Sequence, residues 1–243
     1  MVCAIKGGVG KSTVSASLAM SLAKDGHEVL LIDGDITDPN QMRLLKIVKD
    51  IDIIYRNGRL EIDPAVATAP GFSEYIRLLT VETVLQEAPL VKSEVKIEEI
   101  ITQMLKTQLN YDVVIIDTPP TIHKEFLWFS RFATRAVIVT LPDRIAVSDI
   151  RRALKLFRVL QVPIAGYVVN MAYAKCPHCG RRIEIWRDRV AIPEIPRLFE
   201  IPVMDSKVFY IPDAEKVLRV QPVILSRESP LREFVKGVLG VQG

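Results

Sequence analysis

Nothing in this 243-residue chain approaches the roughly 18 consecutive apolar residues that would mark a membrane-spanning helix. That absence stands beside a hydrophobic content of 49%, so the apolar residues belong to a large buried core. An excess of one charge is also missing. Lys and Arg number 32 against 29 Asp and Glu, and a net charge of +3 is too small to imply a nucleic-acid partner. No internal repeat, linker or low-complexity tract interrupts the sequence, so residues 1–243 are expected to form a single domain. The apolar pattern begins at Val2, leaving no room for a signal peptide, and the expected location is cytoplasmic. Aromatic residues make up only 7%, and with 15 prolines this fits an α/β protein with stiff loops. Of three cysteines, Cys3 falls in the first apolar run and is expected to be a small buried residue, while Cys176 and Cys179 form a C-x-x-C.

The strongest signal is Lys6-Gly7-Gly8-Val9-Gly10-Lys11-Ser12-Thr13. It follows the run Val2 to Ile5 and opens a segment with helical spacing at Val14, Leu18, Ala19 and Leu22. A strand that stops in glycines and restarts as a helix presents unpaired backbone N–H groups and a helix dipole to an anion. Lys11 supplies a point charge for β- and γ-phosphates, and the Ser12 hydroxyl suits Mg²⁺. The pattern G-x-x-x-x-G-K-[ST] fails, because Ile5 occupies its first glycine position. What matches is K-G-G-x-G-K-[ST], which resembles the deviant Walker A loop of the ParA/MinD/Mrp ATPase superfamily.

Further along, the helix is expected to stop at Asp25-Gly26. The run His27 to Ile32 reads as a strand buried on both faces and ends in Asp33-Gly34-Asp35, at the end where α/β sheets bind ligands. Met42 to Leu45 reads as a helix start. Ile51 to Tyr55 and Leu60 to Ile62 read as a hairpin around Asn57-Gly58, and Ala65 to Ala69 as a further strand. Phe72 to Leu109 has helical patterns interrupted near Pro89. Asp112 to Asp117 has the Walker B arrangement, an apolar strand delivering a carboxylate to a metal's outer shell, and Thr118-Pro119-Pro120 fixes the turn after it. Ala136 to Leu141 and Ile164 to Asn170 are buried-strand patterns, separated by a helix from Ala146 to Leu160 with a basic face at Arg151, Lys155 and Arg158. That face reads as solvated. This alternation predicts the α/β class: a doubly wound, mainly parallel sheet flanked by helices, as in P-loop NTPases.

Cys176-Pro177-His178-Cys179 is expected in the loop after the last of these strands. Two thiolates three residues apart can hold one metal from one side, but zinc and iron–sulfur clusters take four ligands. A two-fold dimer would bring a second pair. The open readings are an iron–sulfur cluster or zinc bridging two subunits, an intrachain disulfide, and free thiols.

Lys6 to Thr13, Asp33-Gly34-Asp35, Asp117-Thr118-Pro119-Pro120 and Asn170-Met171 through Cys176-Pro177-His178-Cys179-Gly180 together resemble the Mrp/Nbp/ApbC iron–sulfur cluster carrier ATPases. Ile195 to Pro202 looks like that group's last strand and the turn under the adenine. The resemblance implies a homodimer that sandwiches two ATP·Mg²⁺ and carries a cluster, of the 4Fe-4S type, to apo iron–sulfur client proteins. It implies that Lys6 reaches the partner's phosphates and Lys11 binds phosphate in its own subunit, with Gly7, Gly8, Val9, Gly10 and Thr13 completing the loop. Ser12 would coordinate Mg²⁺, Asp33 and Asp117 would lie near it, and Asp35 would orient the attacking water. Asn170 and Pro202 would line the adenine pocket, and Cys176 and Cys179 would bind the cluster.

The chain also departs from that group. Thr121-Ile122-His123-Lys124 replaces Gly-Thr-Gly-Asp, Asp38-Pro39-Asn40 replaces Gly-Pro-Ser, and a Trp-Arg-Gly-Pro segment is absent. These changes motivate a rival reading as a nucleotide-binding regulatory paralogue with weak hydrolysis. Another rival is a ParA/MinD-type positioning ATPase on DNA or membrane. Its anchor would be Leu231 to Leu239, which reads better as a final core helix.

Overall fold

A computed structural model describes residues 1–36, 38–47, 76–80, 102, 111–120, 124–143, 145–186, 190–204 and 208–223, and the backbone of 52–56, 59–63 and 65–66. In chain order the elements are β1 (Val2–Cys3), α1 (Lys11–Lys24), β2 (Val29–Asp33), α2 (Gln41–Leu44), β3 (Asp52–Arg56), β4 (Arg59–Asp63), β5 (Ala65–Val66) and β6 (Ile76–Thr80). Then come β7 (Val113–Asp117), α3 (Lys124–Phe132), β8 (Ala136–Thr140), α4 (Ala146–Leu160), β9 (Ile164–Lys175), β10 (Arg182–Ile183), β11 (Arg197–Pro202) and α5 (Lys216–Arg219). The residues fall into two compact units, 1–11 with 120–206 and 215–243, and 12–119 with 207–214. The chain therefore passes from one unit to the other between Lys11 and Ser12, inside the glycine loop.

In the first unit β8 is central. It runs parallel to β1 and to β9, β11 runs parallel to β9, and the short β10 is antiparallel to β9. Every residue of β8 is buried, as expected for a parallel strand covered on both faces. Helix α4 turns Ile150, Ala153, Leu154 and Phe157 inward; of the predicted basic face, Arg151 and Lys155 are exposed to solvent and Arg158 is half-buried. Phe157 packs on Phe126 of α3 with ring centroids 6.1 Å apart. The Arg135 guanidinium donates to the carbonyls of Val217 and Leu218, both at 2.7 Å, and so closes the C-terminal end of α5.

In the second unit β2 lies between β6 and β7, parallel to both, and β5 adds antiparallel to β6. The register pairs Val29 with Val113 and Asp33 with Asp117, so two aspartates end neighbouring strands at one level. Helix α1 carries Ser15, Ser17 and Ser21 fully buried. Ser17 and Ser21 accept the N–H groups of Phe209 and Ile211 at 3.1 and 2.8 Å, so these small residues let another segment pack closely. The predicted hairpin is present as β3 paired antiparallel with β4; its Asn57-Gly58 turn lies outside the described residues.

Two expectations are corrected. Within the stretch read as helical from Phe72 to Leu109, Ile76–Thr80 is strand β6, with Ile76, Leu78 and Leu79 fully buried beside β2. An apolar run of this length fits either period, and its partner strand decides between them. The rest of that stretch, apart from Thr102, lies outside the described residues, as do Thr121 to His123 and Leu231 to Leu239. The second correction concerns β9, which does not stop at Asn170 but runs to Lys175, because β10 and the end of β11 pair with its far half.

Gly166 in β9 has φ +151, and a Cβ there would lie 2.3 Å from the Pro196 carbonyl oxygen and 2.9 Å from Leu198 Cγ. Gly166→Ala should cost more than about 2 kcal/mol of stability, combining a backbone clash with an unfavourable φ. A lowered urea midpoint at unchanged m-value is the expected readout.

Candidate functional site

The glycine loop is shaped by its neighbours in the first unit. Asn170, buried in β9, donates from Nδ2 to the Val9 carbonyl at 2.9 Å. Gly10 has φ +81, and a Cβ on it would sit 2.3 Å from that same Nδ2. The last loop glycine is thus required both by backbone conformation and by the close approach of Asn170. Asn170 reaches this place because β9 is irregular there. Met171 has φ 54, and the β11 register slips between Glu200 and Pro202, which pairs with Tyr173. Lys11 is buried at the first position of α1. Lys6 is half exposed, and its Nζ lies 3.4 Å from Asp143 Oδ2. Asp143 Oδ1 in turn accepts the N–H groups of Ile145 and Ala146 at 3.0 and 2.7 Å, capping α4.

In the second unit, Ser12 and Thr13 sit in the first turn of α1. Asp33 is sealed from solvent and accepts three backbone N–H groups: Asp35 at 3.2 Å on Oδ1, and Asn40 at 2.9 Å and Gln41 at 3.0 Å on Oδ2. Its side chain thereby gathers the backbone of Asp35, Asn40 and Gln41 around itself. Burial, and then the neighbouring Asp117 carboxylate, push the Asp33 pKa up to about 7 against the pull of those donors. Asp117 is also sealed. It accepts the Ser15 hydroxyl at 3.0 Å and Gln41 Nε2 at 2.7 Å. Asp35 is buried and its Oδ1 accepts the Asp38 N–H at 3.2 Å. Two adjacent buried carboxylates repel each other, and hard oxygen donors of this kind fit a divalent cation.

Gln41 is the residue that sequence reasoning missed. Besides holding Asp117, its Nε2 donates to the Ser12 carbonyl at 3.0 Å, and the side chain is fully buried. A glutamine after Asp38-Pro39-Asn40 carries no motif, so no sequence signal marks it.

Cys176 and Cys179 stand at the tip of the hairpin formed by β9 and β10. Cys176 N–H donates to the Arg181 carbonyl at 2.9 Å and its own carbonyl accepts Gly180 N–H at 2.8 Å. The base of the hairpin is braced by Arg182, which stacks 4.0 Å over the Tyr173 ring and pairs with Glu200 at 2.8 Å. Both thiols are free. The backbone N–H groups of Cys179 and His178 point at the Cys176 sulfur and lower its pKa, helped by the Cys179 side chain. Cys3 is the opposite case, with burial pushing its thiol up to about 12. Among the described residues no group of three His, Cys, Asp or Glu side chains could hold a metal ion. Among the described residues, one chain therefore offers the two thiolates of Cys176 and Cys179 and no third ligand beside them.

A glycine loop running into the head of α1 at Lys11 is what phosphates require, and, in the second unit, carboxylates ending two parallel strands are what a cation requires. They define a P-loop nucleotide-binding protein of the mainly parallel α/β class. The chain belongs to the ParA-type family of NUBPL iron-transfer P-loop NTPases, whose family model matches residues 1–229. The iron-sulfur cluster carrier protein of Pyrococcus abyssi is 34% identical over 188 residues, 74% of this chain and 64% of that protein. The carrier of Aquifex aeolicus is 26% identical over 242 residues, 97% of this chain. The chain spans 64% of the length of both relatives. Among solved structures, a nucleotide-binding protein of Archaeoglobus fulgidus, in complex with ADP and with cobalt found, superposes with a TM-score of 0.63 at 25% identity, covering 89% of this chain and 83% of that one. The MinD cell division protein of Aquifex aeolicus superposes with a TM-score of 0.51 at 28% identity, covering 70% of this chain and 68% of that one.

The N–H donors around Cys176 predict its reactivity. Stabilised as thiolate, it should be alkylated by iodoacetamide with a half-maximal pH below that of an unperturbed cysteine in a short peptide measured alongside. Cys3 should stay unlabelled in the folded protein across the same range. Peptide mass spectrometry at a series of pH values reads both.

Proposed function

We propose that residues 1–243 act as a single P-loop ATPase domain that works as a homodimer and carries an iron–sulfur cluster between two C-x-x-C hairpins. The observation that carries the reading is the pre-shaped pair of half-buried Cys176 and exposed Cys179, with a lowered Cys176 pKa and no third ligand beside it among the described residues. Two copies supply the four thiolates that a cluster takes. The iron-sulfur carrier names of the relatives support the same reading.

In this account the loop N–H groups from Gly7 to Thr13 and the Lys11 ammonium bind the ATP phosphates. Ser12, Asp33 and Asp117 hold Mg²⁺, which when bound neutralises charge on the phosphoryl oxygens. Asp35 orients the attacking water. Asn170 braces the loop through Val9 and, with Pro202, lines the adenine pocket. Lys6 leaves Asp143 and reaches the partner's phosphates, so that hydrolysis and dimerisation are linked. The cluster itself is cargo, passed to apo iron–sulfur proteins in the cytoplasm. We assign the cluster as the 4Fe-4S type, which four thiolates can hold, with zinc the competing occupant.

Anaerobic reconstitution with iron and sulfide tests the reading. The wild type should become brown and bind about four irons per two chains, as a four-iron cluster requires. Cys176→Ser with Cys179→Ser should stay colourless while ADP binding persists, and Lys11→Ala should lose nucleotide binding while both thiols remain. A colourless wild type that takes up zinc stoichiometrically would contradict the cluster reading.

A further inference from the structure

Gln41 touches each of the three residues to which Mg²⁺ is assigned above. Its backbone N–H donates to Asp33 Oδ2 at 3.0 Å. Its Nε2 donates to the Ser12 carbonyl at 3.0 Å and to Asp117 Oδ2 at 2.7 Å. Both side-chain partners are pure acceptors, so the NH₂ end of the amide must face them. A flipped amide would set oxygen against two oxygens, which fixes the orientation by chemistry. The other end of the amide is then determined too: Gln41 Oε1 is buried and has no hydrogen-bond partner among the described residues. The residue as a whole is 0% exposed.

Buried amide oxygens are ordinarily satisfied, and leaving one unsatisfied is costly. The groups Gln41 already contacts are all acceptors on its side-chain end, and the phosphates of a nucleotide are acceptors as well. None of them can complete Oε1. A water held by a divalent cation is the donor such a site attracts, because Mg²⁺ keeps part of its hydration shell when bound by one or two carboxylates. We infer that Gln41 is a positioning residue for the nucleotide-bound divalent cation: Oε1 accepts from a cation-bound water, Nε2 orients the Asp117 carboxylate, and the backbone N–H orients Asp33. One side chain thereby ties the first turn of α1, the end of β7 and the loop after β2 to the presence of the metal.

This inference rests on the nucleotide–Mg²⁺ reading, and the test separates the two. Binding of the fluorescent nucleotide N-methylanthraniloyl-ADP is titrated in EDTA and at increasing Mg²⁺, for the wild type and for Gln41→Met, a near-isosteric apolar replacement. Gln41→Asn, which keeps an amide but draws it back by one methylene, serves if Gln41→Met does not fold; a thermal melt reports folding for both. The variant should need at least about fivefold more Mg²⁺ for half-maximal tightening, as expected for loss of hydrogen bonds around a charged site. Its affinity in EDTA should remain within about twofold of the wild type, since Gln41 contacts no phosphate in this account. Wild-type Mg²⁺ dependence in the variant, or an equal loss of affinity with and without Mg²⁺, would overturn the inference and leave Gln41 a packing residue. A wild type whose nucleotide affinity ignores Mg²⁺ would overturn the underlying reading as well.

Discussion

Two carboxylates buried side by side are the constraint on which the nucleotide half of this protein depends. Asp33 and Asp117 end neighbouring parallel strands in register, and neither is exposed to solvent. Water would normally carry the cost of their charge; here the protein must. It does so with backbone. The loop after β2 bends so that three N–H groups reach Asp33, while Ser15 and Gln41 serve Asp117. Even so, Asp33 is held near a pKa of 7. An arrangement that places two like charges together and only partly offsets them is one that gains from a cation.

That constraint explains features with no other evident cause. Ser15 sits in the middle of a helix, where its intrinsic propensity is middling, because its hydroxyl is needed by Asp117. Helix α2 is a single short turn whose first residue is Gln41, placed by the N–H that Asp33 accepts. In the other unit the equivalent anchors are Asn170, which shapes the glycine loop, and Asp143, which caps α4 and pairs with Lys6. Lys6 is therefore already paired within its own chain, and any role across a dimer involves exchanging that carboxylate for phosphate.

Sequence alone made the chemistry more legible than the architecture. The glycine loop, the strand ends at Asp33 and Asp117, helix α4 and the C-x-x-C all rest on local patterns, and the structure places each on the expected kind of element. Strand β6 was not legible, because Ile76 to Thr80 becomes a strand only through pairing with β2, 47 residues earlier in the chain. The extension of β9 to Lys175 was hidden for the same reason: β10 and β11 create it from outside. Gln41 was invisible because its importance lies in three contacts made by folding rather than in any spacing. Long-range pairing and buried amide chemistry are what a linear pattern does not carry.

The central claim is that one dimer serves both the nucleotide and the cysteines. Native mass spectrometry of the anaerobically reconstituted protein tests it most directly. The account predicts a species with the mass of two chains and one four-iron cluster, appearing in proportion to the brown colour. A cluster or metal ion carried stoichiometrically by a single chain would contradict it.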